Sequence, residues 1–526
     1  MTLTTLQFAA FFAIVWLGYY LVPRKWQWLL LLVASYAFYS AASPICLVYL
    51  LVTTVATYIG ACLMDSDIRR QKDYLKGDGR GLSREEKKAY KARREAIRKR
   101  IVAAVAIVVL GLLGVFKYSD FILKNASWLM GILGRTDLSF TVKLALPIGL
   151  SFYVFQSLGY CIDVYREEVP AERNFFRHAL FVSYFPQILQ GPIGVYGRLA
   201  PQLVKGHAFD YRQAVCGMQR IAWGLFKKFM IANTLADRIN PAWGDVASYP
   251  GFFCWAVILT CYSIQLYADF SGYMDIACGC SQMLGIELDE NFNTPYFARN
   301  IGEFWRKWHI TLGRWFKDYL FYPLLRSEGL SSLRKKFKSK YIASMLPTVL
   351  ALVIVWFLIG LWHGADWSYV VYGLYHGMFI VMAVMLEPVY DRLHNAFPKF
   401  FASRICSLLQ IARTFAIVTL GYAIFKPGNL KTTCEIVSQM TQWRLKESIY
   451  QAQYLLHHSF VWVALWIMVF LFVDIYHFTA KGRSLRGDIQ KLPTLVRWPM
   501  YVAFVLCVVF YGLYGSGFDN FEYFKF

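Results

Sequence analysis

The chain has 526 residues, 57% of them hydrophobic and 18% aromatic, with a mean hydropathy of +0.39. A soluble domain carries ~45–50% apolar residues, so a water-soluble globular protein is excluded. The formal net charge of +22 would suggest nucleic acid as a partner of a soluble chain. Here the basic residues lie in loops between apolar segments, the pattern of membrane topology, and no nucleic-acid partner is expected.

In chain order, apolar segments are predicted near 5–22, 27–42, 45–63, 101–117, 142–161, 218–234, 252–270, 343–362, 367–387, 408–425, 459–478 and 498–515. Most approach the roughly 20 residues that a bilayer requires. The fold class that follows is an all-α polytopic membrane protein with about eleven to twelve hydrophobic helices, some of them re-entrant. Segments 176–195 and 299–322 are open to re-entrant, surface-lying or spanning placement. The first segment has no basic residue ahead of it and no small-x-small cleavage site, and is read as a retained helix rather than a secretion signal.

Charge orients these spans. Residues 65–100 carry 14 Lys/Arg against 7 Asp/Glu, contain no apolar run, and are expected to form a cytoplasmic loop. Counting back three spans puts the N-terminus outside, Arg24 and Lys25 inside and the uncharged turn 41–44 outside. Arg334, Lys335, Lys336, Lys338 and Lys340 mark a second cytoplasmic loop, and Lys481, Arg483, Arg486, Lys491 and Arg497 a third. The last span then runs outward and delivers the tail after Gly515 to the extracytoplasmic face. The expected domains are an N-terminal set of helices (1–135), a core (136–400), C-terminal helices (401–515) and an aromatic tail (516–526).

Eleven cysteines are scattered mostly through apolar segments, and only Cys278 and Cys280 are close together. Neither a disulfide framework nor a metal site is supported, and buried thiols acting as small hydrophobes are expected.

Ionisable groups are costly inside a membrane, at least ~2.5 kcal/mol each near its centre, so a dense cluster of them marks a task. In residues 290–323, Glu303, Arg306, Lys307, His309, Arg314, Lys317 and Asp318 alternate with Trp305, Trp308, Trp315 and Phe316. The stretch reads as an amphipathic or re-entrant helix that puts Trp305, Trp308, His309 and Leu312 on one face, with His309 inward. The second cluster is LIGLWHGADW, 358–367, where His363 ends one apolar run and Asp366 opens the next. A histidine between Trp362 and Gly364 at that place needs a partner or a task. His376, in YGLYHG, ranks below these two because its surroundings also fit close helix packing around Gly373 and Gly377.

FWRKWHITLGRWFKDYLFYP followed by LWHGADWSYVVYGLYHG resembles the signature of bacterial membrane-bound O-acyltransferases, nearest to the alginate O-acetylation group. The resemblance extends to LPIGLSFYVFQSLGYCIDVYR, SYFPQILQGPI and YADFSGYMDIACGCSQMLGIELDENFNTPY, and so covers about 140–380 and the tail. It implies helices around a central tunnel, His363 as the catalytic residue and His309 as its companion. Trp308, Trp362, Arg314, Asp318 and His376 are candidate supporting residues. Two departures point away from alginate as acceptor: no glycine-rich element follows Tyr322-Pro323, and Asp366 stands where the alginate group usually has asparagine.

The terminal FEYFKF, 521–526, resembles an aromatic motif shared by these acyltransferases, in which the tyrosine, here Tyr523, carries the acyl group. A thiol of pKa about 8.5 and a phenol of pKa about 10 are leaving groups of similar quality, so a tyrosyl ester would preserve transfer potential. Gly512, Gly515 and Gly517 would let the tail enter a tunnel. Read on composition alone, the same residues fit an aromatic belt at the membrane interface. The resemblance further implies acetyl-coenzyme A as donor substrate with no tightly bound cofactor. It also implies an extracytoplasmic SGNH-type serine enzyme as partner, a surface or cell-wall polysaccharide as acceptor, and a bacterial cytoplasmic membrane as location. A D-alanyl transferase of the teichoic-acid type, direct transfer with Tyr523 merely structural, and a polysaccharide transporter are the alternatives. A transporter would favour internal repeats with paired broken helices, and none is seen.

Overall fold

The computed structural model describes residues 3–42, 46–133, 147, 149–456, 460–480, 482–483 and 485–513. The described residues are almost wholly helical, and the one β-bridge among them joins Phe292 to Trp308. Seven helices are long and apolar enough to cross a membrane: Cys46–Lys76, Arg84–Ile132, Phe252–Met283, Lys340–His363, Trp367–Met385, Arg404–Phe425 and Val461–Thr479. Two further predicted segments lie in shorter apolar helices, Leu6–Leu21 and Thr494–Phe510. The protein is an all-α polytopic membrane protein.

Two compact units form the chain, residues 1–218 with 277–289, and 219–276 with 290–526. In the first, α1 (Leu6–Leu21) and α2 (Arg24–Ala42) precede a long pair, α3 (Cys46–Lys76) and α4 (Arg84–Ile132). Residues 65–100 are therefore not a loop. Their Ala, Glu, Lys and Arg are good helix formers, and Ser83 and Glu86 close a capping box that starts α4. The two helices run antiparallel beyond their apolar stretches, held where the buried Arg98 guanidinium meets Asp67 at 3.2 Å and Gln71 at 2.9 Å.

Next come α5 (Leu150–Tyr165), α6 (Phe175–Ser183) and α7 (Tyr196–Lys205). Segment 176–195 is a short helix followed by buried, non-helical backbone. Irregular backbone at depth needs internal partners, and Gln156 supplies them: its Nε2 donates to the Phe181 carbonyl (2.6 Å), and its Oε1 accepts from Gly194 N–H (3.0 Å) and Gln187 Nε2 (2.7 Å).

The predicted span at 218–234 lies in a continuous helical run: α8 (Tyr211–Phe226), a π-helical turn (Lys227–Asn233) and α9 (Thr234–Gly244). Then follow α10 (Phe252–Met283), α11 (Ile301–Lys307), α12 (Ile310–Phe316), a π-helical turn (Lys317–Phe321), and the short α13 (Tyr322–Arg326) and α14 (Glu328–Leu333). The helical hairpin α15 (Lys340–His363) and α16 (Trp367–Met385) packs beside α19 (Arg404–Phe425), after the short α17 (Glu387–Ala396) and α18 (Pro398–Phe401). The amphipathic α20 (Leu430–Thr441) and α21 (Leu445–Leu456), then α22 (Phe460–Thr479), α23 (Leu485–Ile489) and α24 (Thr494–Cys507), complete the order.

Candidate active site

His363 owes its place to the end of a regular helix. Beyond it Gly364 is extended and lies against the Tyr369 ring, so any side chain there would displace that ring. Asp366 then caps α16, its Oδ1 accepting the Ser368 N–H at 2.8 Å. Asparagine caps a helix as well as aspartate does, so the cap itself does not require an aspartate here. The two helices cross where small residues let their backbones approach. A Cβ on Gly360 would meet the Tyr369 carbonyl oxygen at 2.5 Å, and one on Gly377 the Trp356 Cβ at 2.6 Å. Close packing around Gly373 and Gly377 is thus real, and it carries His376 inward with it.

His309 is placed differently. The expected continuous helix is broken at this residue: α11 ends at Lys307, His309 adopts the left-handed conformation (φ 47°, ψ 52°), and α12 begins at Ile310. Trp305, Trp308, His309 and Leu312 therefore do not share one helical stripe. The cause is the extended strand-like segment 291–293, which takes over backbone groups that a helix would have used. Asn293 N–H donates to the Lys307 carbonyl (3.0 Å), and Ile310 N–H to the Asn291 carbonyl (3.0 Å). The Asn291 side-chain oxygen accepts both the Thr311 N–H (3.0 Å) and the Thr311 hydroxyl (2.7 Å), satisfying the first turn of α12. A left-handed non-glycine residue costs on the order of 1–3 kcal/mol and persists only where its surroundings over-determine it. At the head of α11, Glu303 accepts from Arg299 N–H and from the Lys307 ammonium, both at 2.9 Å. Burial alone would raise its carboxyl, but these bonds hold it below the usual range.

The two limbs meet through aromatic rings. Trp362 lies between the histidines, with its ring centroid 5.8 Å from His309 and 4.9 Å from His363. Phe270 approaches His309 edge-to-face at 4.9 Å, and Phe425 does the same to His363 at 5.4 Å. Tyr372 continues the line, 6.1 Å from His363 and 4.7 Å from His376, and Trp305 touches His376 at 5.1 Å. All three imidazoles are buried, His309 and His376 at 1% exposure or less. Neither ring nitrogen of His376 has a hydrogen-bond partner among the described residues. His376, ranked below the other two from sequence, thus joins the same cluster. Trp308 is buried against Phe292 and Phe304, at 5.1 and 5.5 Å. Arg314 and Asp318 are half-buried on the elements that follow His309. Tyr523 lies outside the described residues.

Sequence reading missed Asn291, Phe270, Phe425, Tyr372 and a buried charge ladder. Lys228 pairs with Asp269 at 2.8 Å, both under 4% exposed. Lys227 meets Asp275 at 2.6 Å and Ser271 at 2.8 Å. Arg220 meets Asp275 at 2.8 Å and reaches out to Glu290 at 2.6 Å. Adjacent lysines inside one apolar segment, with aspartates inside another, were the available signal. Among the described residues no group of three or more His, Cys, Asp or Glu could hold a metal ion.

An imidazole pair enclosed by rings, one at a helix end and one at a forced break, suits proton transfer out of reach of bulk water. The family model for membrane-bound O-acyltransferases matches residues 99–425. The chain is 33% identical to a probable alginate O-acetylase of Pseudomonas aeruginosa over 453 residues, 84% of this chain and 75% of the relative. It is 32% identical to a peptidoglycan O-acetyltransferase of Helicobacter pylori over 360 residues, 64% and 63% of the two chains. It is 28% identical to a teichoic acid D-alanyltransferase of Bacillus subtilis over 293 residues, 53% and 68%.

Proposed function

Because this chain belongs to the membrane-bound O-acyltransferase family, we propose that it moves an acetyl group from cytoplasmic acetyl-coenzyme A to the Tyr523 hydroxyl. A separate extracytoplasmic serine transferase of SGNH type then takes the group on to a surface or cell-wall polysaccharide. His363 removes the phenolic proton as Tyr523 oxygen attacks the thioester carbonyl, the carbon–sulfur bond breaks, and the proton returns to the departing thiolate. His309 orients and polarises the carbonyl. Protons balance, so no external acid or base is consumed.

The observation that carries this reading is the pair of buried imidazoles flanking Trp362. Acetyl as the cargo is supported by the names of the relatives matched at 32–33% identity, which are O-acetylating enzymes of alginate and of peptidoglycan. The sidedness, with both termini outside, rests on the distribution of Lys and Arg between apolar segments.

The test is surface-glycan acetylation in cells carrying His363→Gln or Tyr523→Phe. Both variants should abolish acetylation while the protein stays in the membrane at normal level. Retention in Tyr523→Phe alone would mean direct transfer, and retention in His363→Gln would remove His363 from the chemistry. Alanyl esters in place of acetyl esters on the glycan would favour the D-alanyl reading that the relative from Bacillus subtilis suggests.

A further inference from the structure

The buried charge ladder bears on His309. Asp269, Phe270 and Ser271 are consecutive on α10, and successive residues of a helix point about 100° apart. Asp269 is held by Lys228 and Ser271 by Lys227, on either side of Phe270. Both lysines come from the first positions of one π-helical turn, and such turns recur at functional sites. Just before that turn, the end of α8 crosses α10 in close contact: a Cβ on Gly224 would meet the Gly272 carbonyl oxygen at 2.6 Å, and one on Gly272 the Gly224 carbonyl oxygen at 2.9 Å. An ion pair on one side of the ring and a lysine–serine hydrogen bond on the other, at a crossing with no slack, set the rotation of α10 about its axis. That rotation aims Phe270, which meets His309 edge-to-face at 4.9 Å and Phe292, next to the Asn291 clamp, at 5.0 Å.

We infer that Lys228 and Asp269 are positioning residues for His309, acting through Phe270. A charged pair at this depth is poor value for stability, because matched apolar side chains of similar volume usually serve as well. What it supplies is direction: charge partners select one rotation of the helix, whereas an apolar contact tolerates several. The inference rests on the reading of His309 as part of the active site.

The test uses the full-length protein in lipid and follows thiol release from acetyl-coenzyme A. Lys228→Met combined with Asp269→Leu should melt within a few degrees of the parent, keep KM within about twofold and lose at least tenfold in kcat. Phe270→Leu should give a similar kcat loss in the parent, yet less than a twofold further loss in the double variant, since both act along one path. Parental kcat in the double variant, or independent multiplication of the two losses, would overturn the inference and leave the pair a structural one. If the double variant does not fold, Phe270→Leu decides alone: lowered kcat at unchanged KM supports the inference and parental kcat refutes it. His309→Ala separates the two levels. Parental turnover there would sink the active-site reading itself, whereas a dead His309→Ala beside a fully active double variant would sink only the positioning role.

Discussion

His363 and His309 reach the same cluster of rings by opposite means. His363 sits at the end of a 24-residue apolar helix whose stop, cap and glycine crossing are all local. His309 sits at a break in what would otherwise be one helix, forced into the left-handed region by Asn291 from a segment about twenty residues earlier. The first limb is built by propensity and capping, the second by tertiary contacts that override propensity. Perturbing the first limb locally should therefore be forgiven more readily than cutting the Asn291 side-chain bonds of the second.

Loss of the imidazoles themselves gives the largest expected effects. His363→Ala should lower acyl transfer by about 10²–10⁴, the usual worth of a general base, with helix content unchanged by circular dichroism. Equal loss in thermal stability would instead make His363 a structural residue.

Next comes Asn291→Leu. It removes an acceptor used by both the Thr311 N–H and the Thr311 hydroxyl, leaving buried donors unmet at about 1–3 kcal/mol each. Turnover should fall with stability here, because the left-handed His309 loses part of what holds it. A melting temperature matching the parent's, measured in the same detergent, would contradict the clamp.

On the other limb Asp366→Ala should cost only about 1 kcal/mol, the ordinary price of an N-cap. Asp366→Asn should be neutral within a few tenths of a kcal/mol and leave the acceptor unchanged. A switch of acetylated glycan on Asp366→Asn would tie acceptor choice to this position. If Asp366→Ala proved more damaging than Asn291→Leu, the contrast between the limbs would be reversed.

This contrast also separates what was legible in the sequence from what was not. The α15–α16 hairpin could be read directly, because the run before His363, Gly364 as a stop and Asp366 as a cap are signals within ten residues. Burial of both histidines was legible from the cost of placing ionisable groups among tryptophans in a membrane. The break at His309 was not, since the 3.6-residue pattern of Trp305, Trp308, His309 and Leu312 argues for a helix, and the asparagine that overrules it lies outside that window. In residues 65–100 the density of charge points to a loop, whereas the helix formers and the capping box at Ser83 and Glu86 make most of the stretch helical. Hydropathy predicts twelve apolar segments, whereas seven described helices are long and apolar enough to span. Hydropathy reports burial in protein as readily as burial in lipid, as the shorter α5, with twelve of its residues buried, illustrates.

The central claim is a His363-dependent acyl-tyrosine, and intact mass of the C-terminal peptide tests it most directly. The purified protein would be incubated with acetyl-coenzyme A, alongside Tyr523→Phe and His363→Ala. The account predicts an acetyl adduct on Tyr523 in the parent that both variants lack. A parent peptide without adduct, from a protein that still releases thiol and acetylates glycan, would contradict it and make the tail an interfacial anchor.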